Sequence, residues 1–235
     1  MGLIENIVKH GKKLCSLELD FLFFDNSGLF SKLLQLENLV TLTLSFLNQS
    51  NFKTEDLLTL VDNCKNLSRL KFFNDGITED ILIRIINMKK DTLKEFYHIK
   101  TRQEILKHLA NCPKLEDLSA LTVFDPVENL FSTGSKSQSK SISKMKKLKS
   151  LQIGVSMKTE DVIEFLPNLS KLEFLHIFGV EDAIYPILKC LVVSCPNLKK
   201  LEITVLKDTR KDFLQTSIKI MFDKLTELQG LEQKS

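Results

Sequence analysis

The sequence predicts an α/β solenoid of short parallel strands backed by helices, and three observations predict it. An apolar frame, Leu-x-x-Leu-x-Leu, returns along the chain at an interval of roughly 26 residues, inside the range of leucine-rich repeats. Within the frame apolar and polar residues alternate with period two, as in Leu42-Thr43-Leu44 and Leu175-His176-Ile177, which marks a strand with one buried face. Behind most frames the spacing switches to the helical period. A unit this short cannot bury its own apolar faces, so about eight or nine copies must stack, with parallel strands inside and helices outside, into a horseshoe. The array is read as one leucine-rich-repeat domain over residues 1–235.

The frames run in order. They open at Leu14, Leu17 and Leu19, then Leu39, Leu42 and Leu44, then Leu67, Leu70 and Phe72, then Leu93, Phe96 and His98. The second half carries Leu115, Leu118 and Ala120; Leu148, Leu151 and Ile153; Leu172, Leu175 and Ile177; and Leu198, Leu201 and Ile203, with a degenerate last copy at Leu225 and Leu228. Helices follow the second, third, fourth, sixth and seventh frames, with apolar stripes such as Leu57, Leu58, Leu60 and Val61, or Ile81, Leu82, Ile85 and Ile86. Their starts are marked by Thr54-Glu55-Asp56, Thr78-Glu79-Asp80 and Thr159-Glu160-Asp161, where a Thr oxygen is expected to cap free amides and the acids face the positive end of the helix dipole. Thr101 and Glu104 have capping-box spacing. Ile4, Ile7 and Val8 read as the last turn of a preceding repeat helix.

The period breaks between Leu115 and Leu148. That stretch includes the Ser- and Lys-rich run from Ser132 to Ser141, expected to form a mobile surface loop within an insertion at 125–145.

Composition narrows the function. Hydrophobic residues make up 43% and charged residues 27%, as in a folded soluble chain. The net charge is only +3 with both signs interspersed, so a nucleic-acid groove is not expected. With no apolar run long enough to span a bilayer and no signal-peptide pattern, a cytoplasmic or nuclear protein without membrane contact is expected. The five cysteines, Cys15, Cys64, Cys112, Cys190 and Cys195, are odd in number and lack metal or disulfide spacing, so neither metal nor cofactor is expected. There is no Gly-rich phosphate loop and no nucleophile–base constellation, which points away from an enzyme.

Cys64-Lys65-Asn66-Leu67, Cys112-Pro113-Lys114-Leu115 and Cys195-Pro196-Asn197-Leu198 each place Cys three positions before the first Leu. In this the chain resembles the cysteine-containing subclass of leucine-rich repeats, similar to the repeat region of F-box proteins with a ribonuclease-inhibitor-like fold. The resemblance implies a non-catalytic protein-recognition module, the substrate-binding portion of an F-box type, cullin-linked ubiquitin ligase receptor. Its alternative is a stand-alone scaffold or inhibitor without a ligase link. The chain reaches Leu14 at once with no F-box segment ahead of it, so adaptor binding is not expected and the partner is a protein, such as a ligase substrate.

If the frame residues point inward, positions two, four and six after the first Leu point outward from the sheet. A solvated face would be polar, yet several of these positions are apolar and rimmed by charge, the mark of a binding surface. The expected partner-binding residues are Arg69, Lys71, Phe73, Tyr97, Ile99, Leu121, Phe174, His176 and Phe178.

Overall fold

The computed structural model describes residues 11–21, 33–46, 54–73, 77–99, 101–120, 135–153, 159–178, 184–209 and 212–221, and the chain falls into two compact units, Met1–Ile99 and Lys100–Ser235. In the first unit, strands β1 (Ser16–Phe21), β2 (Thr41–Phe46), β3 (Arg69–Phe72) and β4 (Glu95–His98) pair in parallel in chain order. Helix α1 (Thr54–Asn63) connects β2 to β3, and α2 (Glu79–Lys89) connects β3 to β4.

The second unit alternates in the same way. It runs α3 (Gln103–Leu109), β5 (Asp117–Ala120), α4 (Ser135–Ile142), β6 (Ser150–Ile153), α5 (Thr159–Phe165) with a 3-10 turn at Leu166–Asn168, β7 (Phe174–Phe178), α6 (Ile184–Ser194), β8 (Lys200–Thr209) and β9 (Asp212–Met221). Strands β5 to β8 are parallel, and β9 folds back antiparallel on β8. Parallel strands in repeat register with crossover helices are the leucine-rich-repeat solenoid architecture.

Register follows the leucine frame. Leu17, Leu42, Leu70 and Phe96 are successive ladder partners in the first unit, and Leu118, Leu151, Leu175 and Leu201 in the second. All eight are buried. Phe72 and Phe96 meet edge to face, with centroids 6.2 Å apart at 66°. The helices bury the stripes read from sequence: Leu57, Leu58, Leu60 and Val61 on α1, Ile81, Leu82, Ile85 and Ile86 on α2, and Ile105, Leu106 and Leu109 on α3.

The cysteine position has a polar function as well as a packing one. The Cys64 thiol donates to the carbonyl of Leu36, its counterpart one repeat earlier, at 3.2 Å, and the Cys195 thiol donates to Leu166 O at 3.8 Å. Burial pushes the Cys195 thiol up to about 12 and raises that of Cys64, so both stay protonated. Where the next repeat has Lys90 in place of Cys, the neighbouring Lys89 turns inward, and its ammonium donates to Cys64 O at 2.8 Å. Burial lowers the Lys89 pKa from its usual value.

Several expectations are corrected. Within the proposed insertion at 125–145, residues Ser135–Ile142 are helical rather than a loop, with Ser139, Ser141 and Ile142 buried. Ile142 and Met145 anchor this helix in the core, small serines allow close approach, and Ser139 Oγ donates to Glu164 Oε2 at 3.1 Å. Thr78 sits at the N-cap of α2 with extended backbone (φ −67°, ψ 157°), but its side chain makes no cap hydrogen bond. Helix α3 starts at Gln103 with Arg102 as N-cap, so Thr101 stands one residue ahead of the expected cap position, and Glu104 pairs with Lys107 at 2.6 Å. After β8 the chain makes a further strand, β9, that is antiparallel rather than parallel to its neighbour, consistent with the period-two alternation of Ile218-Lys219-Ile220. Residues 4–8, the copy at Leu225 and Leu228, and positions 125–134 lie outside the described residues.

Leu70→Ala or Leu175→Ala removes a fully buried side chain from a strand shared by two repeat neighbours. Each is expected to cost about 2–5 kcal/mol in urea unfolding, against about 0.5 kcal/mol or less for the exposed Glu18→Ala. Lys89 gives a pH test. Between its lowered folded pKa and its usual value near 10.5 the unfolded chain binds more protons, so the Lys89 contribution to stability rises with pH across that window. The stability difference between wild type and Lys89→Met should therefore shift in favour of wild type as urea titrations move from pH 8 towards 10.5.

Candidate functional site

In the first unit the register places Arg69 beside Glu95 and Lys71 beside Tyr97. Opposite charges on adjacent strands attract, and Glu95 takes both cations. Lys71 Nζ lies 2.6 Å from Glu95 Oε1, and Arg69 Nε lies 3.6 Å from Oε2. The Lys71 contact is a charge-assisted hydrogen bond. The Arg69 contact is longer than one, and its side chain remains 53% exposed, which leaves the guanidinium fork able to take an incoming carboxylate.

Just beyond the strand end, Phe73 packs on Tyr97 with ring centroids 4.4 Å apart and planes at 34°. Phe73 is 40% exposed, while Tyr97 and Ile99 are half-buried. Burial raises the Tyr97 phenol above its usual value of 10.0. Arg69, Lys71, Phe73 and Tyr97 thus form one cluster: an aromatic pair beside a cation pair held by one carboxylate.

In the second unit Phe174, His176 and Phe178 lie on β7 against Lys200, Glu202 and Thr204 of β8. Lys200 Nζ stands 4.9 Å from the Phe174 ring centroid and 2.8 Å from Glu202 Oε1. The cation thereby covers the ring face that sequence reading left open. His176 Nε2 is 3.2 Å from Thr204 Oγ1, and its Nδ1 is 3.9 Å from Glu202 Oε2. These contacts fix the imidazole as part of a polar network. Leu121 and the side chain of Phe178 lie outside the described residues.

Sequence reasoning missed the partners more than the sites. Glu95, Lys200, Glu202 and Thr204 occupy outward positions, and aligning the leucine frames already sets them across from Arg69, Phe174 and His176. It also took outward to mean exposed. Thr43, Ser119 and Thr204 face outward yet are buried, because short side chains sink between longer neighbours; Ser119 Oγ, for example, donates to Gln152 Oε1 at 3.3 Å.

Among the described residues no cluster of three or more His, Cys, Asp and Glu side chains could hold a metal ion, and no helix is long and apolar enough to cross a membrane. No protein-family model matches the chain, and no curated protein sequence matches it significantly. Among solved structures it is similar to a chain of the Rad7 and Elc1 complex in yeast, with 17% identity and a TM-score of 0.42 over 85% of this chain and 61% of that one. It is also similar to the leucine-rich repeat-containing protein LegL7 from Legionella pneumophila, with 10% identity and a TM-score of 0.43 over 99% of this chain and 94% of that one. The chain thus spans about 61% of the matched chain in the yeast complex. Both likenesses are distant, and the fold assignment stands on the strand register and helix crossovers.

A spectroscopic consequence follows from the Phe73–Tyr97 stack. Ultraviolet titration should show a phenolate step above pH 10.0 that disappears in Tyr97→Phe and moves down in Phe73→Ala, because removing the covering ring rehydrates the phenol.

Proposed function

We propose that the chain is a non-catalytic protein-recognition module whose outward strand residues form the binding surface. The observation that carries this reading is the cluster at the end of β3. Phe73 presents an exposed ring already packed on Tyr97, so its apolar face is pre-organised, and Arg69 and Lys71 stand on the same strand to orient a charged partner. Aromatic and Arg side chains carry much of the energy of protein interfaces, and a cluster held by internal contacts loses little entropy on binding. In the second unit Phe174, His176 and Phe178 provide a separate candidate surface, with Lys200 as its cation.

The finer reading is that of a substrate-binding portion of an F-box type ubiquitin ligase receptor. It is supported by the resemblance carried by the frames at Cys64, Cys112 and Cys195, whose thiols are buried in the structure. Tagged protein recovered from its own cells, analysed by mass spectrometry, tests both levels. Recovery of a cullin adaptor together with other proteins supports the ligase reading, whereas a single stoichiometric partner without adaptor favours the scaffold or inhibitor reading. The double variant Arg69→Ala with Phe73→Ser should lose partner capture at least tenfold while its melting temperature and circular dichroism spectrum stay near wild type; a loss of about 1.4 kcal/mol in binding gives that factor. Capture unchanged by this variant and by Phe174→Ser would remove both outward surfaces from the binding site.

A further inference from the structure

The residue just before the first Leu of each frame lies in the turn that leads into the strand. In the first unit, after Lys13, this position holds Asn38, Asn66 and Thr92. Its structural use is visible at Thr92, whose hydroxyl donates to Leu67 O at 2.9 Å, and in the second unit at Asn197, whose amide donates to Ser170 O at 2.9 Å. A short polar side chain here ties one repeat to the carbonyl of the repeat before it. Three successive repeats of the second unit depart from this, with Lys114, Lys147 and Lys171.

These three lysines stand three residues before Asp117, Ser150 and Phe174, which are ladder partners, so they form a column with a spacing of about 5 Å. All three are exposed, and among the described residues none makes an ion pair. Lys144 and Lys146, also exposed and among the described residues without an ion pair, lie in the same turn as Lys147. Like charges stacked this closely repel, and the fold does not require them, since Asn38, Asn66, Thr92 and Asn197 fill the position in other repeats. Two residues further along each turn the same unit alternates its charges instead. Glu116 pairs with Lys149 at 2.9 Å and Glu173 with Lys199 at 2.6 Å.

We propose that this lysine ledge, built from Lys114, Lys144, Lys146, Lys147 and Lys171, binds the phosphate backbone of a nucleic acid without regard to sequence. Protein interfaces need an apolar centre, and the exposed residues beside the lysines in these turns, Asn111, Pro113, Pro167, Asn168 and Ser170, include no large apolar anchor. Stable attachment to a membrane takes a lipid or apolar anchor beside the basic patch, and the ledge carries none. A polyphosphate backbone is held by charge alone, through release of its counterions. The net charge of +3 does not show this, because it sums the ledge with acidic surfaces elsewhere. Between Glu128 and Glu160 the chain has seven lysines and no acidic residue.

The test is fluorescence anisotropy of a labelled duplex DNA of arbitrary sequence titrated with the full chain between 50 and 200 mM salt. With three phosphates neutralised, affinity should fall about 40-fold across that range. The triple variant Lys114→Gln, Lys147→Gln, Lys171→Gln should bind at least tenfold more weakly at 50 mM and lose most of the salt dependence. Lys65→Gln, an exposed change in the first unit, should bind like wild type, and melting curves of all variants should coincide. Absence of duplex binding at 50 mM salt, or binding that the triple variant leaves intact, overturns the proposal. So does equal or tighter binding, lost in the same variant, to poly-glutamate or to phosphatidylserine vesicles, which would assign the ledge to an acidic protein or a membrane instead. Partner capture through Arg69 and Phe73 is a separate readout, and neither result determines the other.

Discussion

One hydrogen-bond device, repeated in three turns of each unit, sets the strands in register. The residue after the first Leu of a frame offers its carbonyl to two successive amides of the next repeat. Cys15 O accepts from Val40 and Thr41, Val40 O from Ser68 and Arg69, and Ser68 O from Lys94 and Glu95. The second unit repeats it: Glu116 O accepts from Lys149 and Ser150, Lys149 O from Glu173 and Phe174, and Glu173 O from Lys199 and Lys200. A carbonyl has two lone pairs, and using both at the strand entry fixes where each strand begins relative to its neighbour. A slip of one residue would turn the leucines to the outside, so this backbone contact and the apolar frame enforce the same register.

The second ring of constraints is at the cysteine position. Helix ends leave carbonyls without an amide partner, and in a stacked array those carbonyls face the next repeat away from water. Thiols at Cys64 and Cys195 and the ammonium of Lys89 each donate to a carbonyl of the preceding repeat, and at Leu166 O and Cys64 O they share it with the amides of Leu169 and Leu67. The Lys solution is costlier because a charge is buried, and the lowered Lys89 pKa is the sign of that cost. Leu36, Met145 and Leu169 fill the same position in other repeats with no donor, so the site asks for a buried apolar group and the hydrogen bond is an addition to it. The cysteines therefore mark the repeat without pointing to redox or metal chemistry.

How much of this was legible in the sequence depends on which force decides each feature. Leu42, Leu70, Leu151 and Leu175 were readable because burial of a periodic apolar set outweighs any local preference. The helix at Ser135–Ile142 was not, since its composition resembles a solvated linker, and two of the side chains it buries, Ser139 and Ser141, carry no apolar signal. Thr78 and Thr101 misled because caps are settled by small differences in where the helix starts, which spacing does not resolve. The outward residues were placed correctly, but their exposure was not. Thr43 and Thr204 are buried by the size of their neighbours, and Phe174 is covered by Lys200, so pairwise contact across strands decides what a partner can reach.

The repeat thus divides its residues between those the stack fixes and those it leaves free. Frame residues and the cysteine position carry packing and backbone satisfaction, so their chemistry repeats with little change. Positions two and four after the first Leu meet a neighbour on each side, and there the chain makes compensated groups such as Glu95 with Lys71 and Glu202 with Lys200. The turn position before the first Leu is lightly constrained, because Asn197 supplies one hydrogen bond to the preceding repeat there and Thr92 adds to its own only a longer one to Lys89 O at 3.2 Å. A position with so little structural demand can accept a lysine at small cost to the fold, but three in succession must also overcome their mutual repulsion. Alternation of sign would have removed that repulsion, as it does at Glu116, Lys149, Glu173 and Lys199 two residues further along the same turns. The contrast between a compensated column and an uncompensated one on the same turns is what separates ordinary surface charge from charge that an external anion would satisfy.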